Sequence, residues 1–140
     1  MKNILVSKCL LGYNCRYKGD NCACEKVIAL GKENNLIPIC PEQDGGLPTP
    51  RDPGEIVGDK VISSKGKDIT KEYKKGAEIA LETAKKYHID YAILKAKSPS
   101  CGKGLIYDGT FSGNKIPGNG IAAQLLLDNG FIVYTDEEIK

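Results

Sequence analysis

The chain has 140 residues, 41% of them apolar and 27% charged, with 20 Lys and Arg against 18 Asp and Glu, one His and six Cys. That length fits one domain, residues 1–140, able to bury about two-thirds of its unfolded surface without staples. The near-neutral balance argues against a broad nucleic-acid or anionic-membrane surface, and no run approaches the roughly 18 apolar residues of a membrane span.

Residues 2–7 (KNILVS) form a short β-rich run and predict a buried strand. The apolar run is too short and too early for a secretory leader, so a cytoplasmic protein is expected. In a reducing compartment six cysteines are expected to serve as ligands, nucleophiles or inert thiols rather than as a disulfide framework. After a Gly-containing loop, residues 24–34 (CEKVIALGKEN) carry Val27, Ile28 and Leu30 at helical spacing and predict about three turns of helix. Residues 36–40 (LIPIC) predict a second strand that ends on a cysteine.

The stretch 41–59 holds four of the seven prolines and reads as a long irregular segment, of the kind that carries function in a compact domain. Within and beyond it, residues 55–63 (EIVGDKVIS) predict a hairpin turning at Gly58-Asp59. Asp68 or Thr70 is placed to cap a long amphipathic helix over 71–88, with Ala77, Ile79, Ala80, Leu81, Ala84 and Tyr87 on its apolar positions. Residues 91–95 (YAILK) predict a third core strand, and 104–120 a second Gly-rich functional loop. Residues 121–128 (IAAQLLLD) predict a helix stopped by Asn129-Gly130, 131–134 (FIVY) a last strand, and TDEEIK a terminal helical turn.

Strands alternating with helical segments predict an α/β fold: a three-layer sandwich around a mostly parallel, Rossmann-like sheet. In such sheets ligands bind beyond the carboxyl ends of the strands. Cys9, Cys40 and Cys101 each fall just past a predicted strand, in settings rich in Gly, Pro or Ser. The topology therefore carries all three to one rim.

Structural zinc wants four ligands in paired spacing, but the close pair Cys22-Ala23-Cys24 is too tight for a knuckle, and His88 sits at the end of the predicted long helix. No C-x-x-C is present, which disfavours a thioredoxin-like site, whereas a lone nucleophilic Cys101 with Glu42 as base stays open. Three thiolates can also hold an iron–sulfur cluster, leaving one iron available as a Lewis acid. Spacing alone weighs that reading evenly against three small buried hydrophobes; the loop settings tilt it toward ligands.

The segments SKCLLGYNCRY, ICPEQDGGLPTPR, ILKAKSPSCGKGLIYDGTFSG and PGNGIAAQLL together resemble the DUF523 family, whose characterised branch includes the thiouracil desulfidases. The resemblance spans the chain from end to end. It implies a 4Fe-4S cluster bound by Cys9, Cys40 and Cys101, with one iron not bound by protein and open to a substrate thiocarbonyl. It implies Glu42, of the CPE segment, and Ser98, of SPSCG, as the residues that assist proton transfer. The implied reaction is non-redox removal of sulfur from a small thiolated compound such as a thiopyrimidine, with release of hydrogen sulfide.

Each of these side chains also has a bland reading: Glu42 as the ion-pair partner of Arg51, and Ser98 as a turn residue before Pro99. Arg16, Arg51, Lys95 and Lys97 are placed near the cysteine loops, where they could offset cluster charge, and Gly45, Gly46, Gly102 and Gly104 are expected to allow close backbone approach there. Cys15, Cys22 and Cys24 exceed the implied ligand set; a fourth ligand from Cys15 would close the open iron. They favour the second class of function, a non-catalytic cluster- or metal-binding sulfur or redox sensor, whereas Glu42 and Ser98 favour an enzyme. The residues after GGLPTPR (DPGEI) and after CPE (QDGG) are expected to border the pocket and bear on substrate identity. The expected partner is a small thiolated substrate, with no nucleic acid or membrane, on a monomer or small homo-oligomer.

Overall fold

A computed structural model describes residues 1–139. Four parallel strands form the central sheet in the order β2 (Asn35–Ile39), β1 (Asn3–Ser7), β5 (Tyr91–Leu94), β8 (Val133–Thr135). The chain starts in the middle, moves one way to β2 and then the other way to β5 and β8. Its connecting helices divide between the faces accordingly. The first, α1 (Glu25–Ala29), packs Val27 against Ile4, Val6 and Ile93. The long α3 (Thr70–Lys86) and α4 (Ile121–Asp128) cover the other face, against Leu5, Ala92 and Leu94. Alternate residues of one strand thus feed opposite cores, as the period of two requires. The expected three-layer α/β sandwich with a parallel, Rossmann-like sheet is what the chain forms.

The register brings the strand ends level. Ser7, the last residue of β1, pairs with Ile39, the last of β2, and Val6 pairs with Ile93 of β5. The strand order reverses direction between β1 and β5, and a crevice opens there beyond the carboxyl ends.

Several boundaries differ from expectation for local reasons. The expected three-turn helix over 24–34 is α1 followed by a 3-10 turn at Leu30–Lys32, where Gly31 sits. The long helix ends two residues early, with His88 in a left-handed conformation (φ 49°). Its N-cap residue is Ile69 rather than Asp68 or Thr70; Asp68 Oδ1 instead accepts from the Thr70 N–H and hydroxyl. Its buried stripe runs Tyr73, Gly76, Ala77, Ala80 and Ala84, and Tyr87 is exposed. The last strand starts at Val133, because the Phe131 N–H bonds back to Leu126 O and closes the end of α4.

Two segments expected to be irregular are ordered. Residues Pro41–Asp44 form a short helix, α2, directly after Cys40. Gly45 and Gly76 let it lie hard against α3: a Cβ on Gly45 would sit 2.0 Å from Glu72 O, and one on Gly76 1.8 Å from Pro41 O. The 104–120 loop contains an antiparallel hairpin, β6 (Leu105–Tyr107) and β7 (Lys115–Pro117). The expected hairpin at 55–63 is β3 (Gly54–Val57) and β4 (Lys60–Ser63), with Gly58 at φ 65° in its turn.

Candidate active site

Beyond the strand ends lies a cavity of about 520 Å³, lined by Cys9, Cys15, Cys40 and Cys101 among others. Cys9 comes from the 3-10 turn Lys8–Leu11 that follows β1. Cys40 is the N-cap of α2. Cys101 lies in the loop that joins β5 to the β6–β7 hairpin. The three cysteines expected at one rim are therefore brought together there, each less than 9% exposed.

The Cys101 loop is held from behind by α4. Pro99 O accepts the Ile121 N–H, and Ser100 O accepts those of Ala122 and Ala123. The open N–H groups of a helix start thus find partners in the loop that carries the thiol. A Cβ on Gly120 would meet the Ser100 carbonyl carbon at 2.5 Å, so glycine is required at this junction.

Cys15 stands with the other three. It is 4% exposed, its thiol contacts those of Cys9 and Cys40, and the Cys40 sulfur approaches its carbonyl at 3.9 Å. Cys40 draws the Cys15 thiol down, but Cys9 and burial outweigh it and the thiol is pushed up to about 11. The Cys40 thiol is raised further, by the Cys15 contact and by burial. Burial pushes the Cys101 thiol up to about 12, against the hydroxyls of Ser7 and Ser100. Crowded, desolvated thiols resist ionising next to one another; a cation or cluster in their midst reverses that balance.

Glu42 and Arg51 form the polar side of the cavity. Arg51 Nε and Nη2 reach Glu42 Oε1 at 3.1 and 3.0 Å, with the two side chains 7% and 16% exposed. The remaining guanidinium hydrogens go to Pro48 O, Thr49 Oγ1 and Cys15 O. All five donors of this arginine are thus used. The bland reading of Glu42 as the partner of Arg51 and its placement at the site hold together.

The second carboxylate oxygen faces a serine that sequence reasoning did not single out. Ser100 Oγ donates to Glu42 Oε2 at 3.0 Å and lies 3.0 Å from Ser98 Oγ. Ser98 Oγ accepts from the backbone N–H of Ser100 and of Cys101, both at 3.1 Å. With both lone pairs engaged, its own proton points to Ser100. The chain therefore runs Ser98 to Ser100 to Glu42, with Ser100 1% exposed at its centre. Ser98 is also the turn residue expected before Pro99. The signal for Ser100 lay in the same SPSCG segment, but only the fold shows which serine meets the carboxylate. Ser7 was missed as well: it ends β1, is 3% exposed, and its hydroxyl serves Cys101 while accepting the Lys95 N–H at 3.0 Å.

Other expected residues are placed differently. Lys95 and Lys97 line the cavity, yet their ammonium groups pair with Asp136 (3.4 Å) and Glu137 (2.7 Å) of the last turn. Arg16 pairs with Asp20 at 3.2 Å. Gly45 serves the α2–α3 crossing rather than the cysteine rim, and Gly102 folds against Ser98 O within its own loop. Cys22 lines the cavity half-buried, and Cys24 is the N-cap of α1. Among the described residues no three Cys, His, Asp or Glu side chains close on one ion position. No helix among the described residues is long and apolar enough to cross a membrane.

A parallel sheet with four buried thiols and a carboxylate at one strand-end crevice makes this cysteine-lined α/β cavity the candidate active site. The family model for 2-thiouracil desulfurase matches residues 4–138. The chain belongs to the 2-thiouracil desulfurase family, the DUF523 family, and is an enzyme that removes sulfur. It is 44% identical to the uncharacterized protein YbbK of Bacillus subtilis, over 98% of this chain and 97% of that one. Among solved structures it is similar to TudS (DUF523Vcz), a [4Fe-4S]-dependent thiouracil desulfidase, with 41% identity and a TM-score of 0.94 over 99% of this chain and 93% of the other.

Proposed function

We propose that this enzyme removes sulfur from a small thiolated heterocycle of the thiopyrimidine class by hydrolysis, using a 4Fe-4S cluster held by Cys9, Cys40 and Cys101 with one iron free of protein. The observation that carries this reading is the meeting of three buried thiols from three different strand ends with the Ser98–Ser100–Glu42 chain on one cavity. The residues suit the cofactor: the donors are soft thiols drawn from separate loops onto one cavity, and the Ser7 hydroxyl serves the Cys101 sulfur. When bound, such a cluster supplies a soft Lewis acid suited to a thiocarbonyl.

The protein's own part is to hold the carboxylate and move protons. Arg51 fixes Glu42 through Oε1, which leaves Oε2 as the atom that exchanges a proton with Ser100. Glu42 takes a proton from the attacking water, and Ser98, through Ser100, is the opposite end of the same path. One water is consumed, the C=S group becomes C=O, and sulfur leaves as hydrogen sulfide, so no electron is gained or lost. Phe111 and Tyr107 on the cavity wall supply apolar surface for a planar ring.

The test is anaerobic loading with iron and sulfide, followed by measurement of sulfide released from 2-thiouracil. Loaded protein is expected to hold about four irons per chain, and Glu42→Gln to keep the iron and lose turnover. A Cys101→Ala variant that still holds a full cluster would refute the ligand assignment. Unchanged turnover in Glu42→Gln would refute the proton-transfer role.

A further inference from the structure

Glu55 is a buried acid that the reaction just described does not use. It is 8% exposed, sits on β3 and lines the same cavity as the four thiols. Among the described residues no cation pairs with it. One of its oxygens, Oε1, accepts the backbone N–H groups of Gly109 (3.0 Å) and Phe111 (3.2 Å), at the tip of the β6–β7 hairpin. The other, Oε2, has no hydrogen-bond partner among the described protein groups, and it is not sealed from solvent either. At a residue that lines the cavity, such an open acceptor is free to exchange water for a donor on a bound molecule.

The hairpin tip it holds is built to stay in place. A Cβ on Gly109 would lie 2.8 Å from Ile56 O, so this tip presses on the β3 backbone. Phe111 adopts φ 56°, an uncommon conformation for a bulky residue, and it lines the cavity while 39% exposed. The Glu55 bond to the Phe111 N–H therefore fixes an aromatic face and an unused anionic acceptor in one arrangement.

We propose that Glu55 is a ring-recognition residue: Oε2 accepts a ring N–H of the substrate while Phe111 covers the ring face. This rests on the desulfuration reading for the identity of the substrate ring, and it narrows the class to planar thiolated heterocycles that carry an N–H next to the reacting carbon. Thiolated rings alkylated on nitrogen would be excluded.

The experiment measures binding of the oxo product ring, which undergoes no turnover. Uracil and 1,3-dimethyluracil are titrated calorimetrically under anaerobic conditions into cluster-loaded wild type and Glu55→Gln. The amide keeps an oxygen for the Gly109 and Phe111 N–H groups and turns its NH2 toward the cavity, which reverses the polarity offered to the ring. Uracil is expected to bind the variant about 10- to 100-fold more weakly, the range for a charge-assisted hydrogen bond, and KM for 2-thiouracil to rise by a similar factor. Dimethyluracil is expected to bind wild type and variant equally weakly. Equal affinity of wild type for uracil and dimethyluracil overturns the proposal without any variant, as does uracil binding Glu55→Gln as tightly as wild type. Sulfide release with uracil affinity and KM unmoved by Glu55→Gln sinks this assignment alone. No sulfide release by wild type, with the uracil difference intact, sinks the desulfuration reading alone.

Discussion

Ser100→Ala separates a proton path from a merely structural hydrogen-bond chain. The substitution deletes one buried oxygen that donates to Glu42 Oε2 at 3.0 Å and accepts from Ser98 Oγ at 3.0 Å. It leaves the Arg51–Glu42 pair and the two backbone bonds to Ser98 in place. Two polar groups lose a partner, each worth about 1–3 kcal/mol when fully buried. The Glu42 side chain is 16% exposed on the cavity, so water replaces part of the loss there. The net destabilisation is therefore expected at about 1–3 kcal/mol, read from the denaturant midpoint of the cluster-loaded protein. If protons travel through Ser100, sulfide release falls about 10- to 100-fold, equivalent to about 1.4–2.7 kcal/mol of barrier, while iron content stays at the wild-type level. Ser98→Ala should behave differently. It removes the acceptor for the Cys101 N–H, so it should also speed loss of iron. Ser100→Ala that is destabilised yet turns over at the wild-type rate would refute the path and leave the serine a purely structural role.

Two further outcomes follow from packing and charge. Gly76→Ala is expected to cost about 3 kcal/mol or more and to lower cluster loading, because its Cβ would sit 1.8 Å from Pro41 O and push α2, with Cys40 at its N-cap, off α3; thermal melting and iron content read both effects, and an unchanged melting temperature contradicts this account of the α2–α3 crossing. Lys103, its main partner, holds the Glu138 carboxyl below the usual carboxylate range. A depressed folded-state pKa contributes stability above the unfolded value and loses it as pH falls. The Glu138 side chain is 41% exposed, so Glu138→Gln should cost less than about 1 kcal/mol at neutral pH, and the difference from wild type should vanish in acid; a difference that grows in acid contradicts the sign.

The sheet and the three cysteines were legible because each rests on a local pattern. KNILVS, LIPIC and YAILK are apolar runs of strand length; the second ends on Cys40, and the first and third run into the loops of Cys9 and Cys101. The hairpin at Gly58 and the helix 121–128 were equally clear, since a positive-φ glycine and an Asn-Gly stop are short-range signals. What stayed hidden depends on contacts between distant segments. Helix α2 follows a cysteine and a proline and is four residues long, too short for periodicity to show; it persists because α3 presents Gly76 to it. The β6–β7 strands are three residues each, with β7 fully exposed, so no alternation marks them. The role of Glu42 came from the resemblance of its CPE segment, and Glu55 lay in a segment expected to border the pocket, but Ser7, Ser100 and the bonds of Glu55 required the fold. Their partners lie 94, 58 and 54 or more residues away in sequence, at Cys101, Glu42 and the Gly109 turn.

Arg51 shows how an ion-pair partner and the carboxylate proposed to react can be the same group. An isolated buried pair is weak evidence of stability, because desolvation offsets much of the Coulomb attraction. Here the guanidinium does more than neutralise. It reaches Cys15 O of the first loop at 3.0 Å, Pro48 O and Thr49 Oγ1 of its own loop, and Glu42 beside Cys40, while its backbone N–H bonds Tyr17 O at 2.8 Å. One planar side chain thus sets the distance between the loop after β1 and the loop after β2, which carry two of the three thiols. A lysine has the charge but not the five-donor fork. The carboxylate it grips through Oε1 keeps Oε2 for Ser100. Because the oxygen that Arg51 anchors and the oxygen proposed to exchange protons are different atoms of one carboxylate, tight anchoring would not compete with the proposed proton transfer.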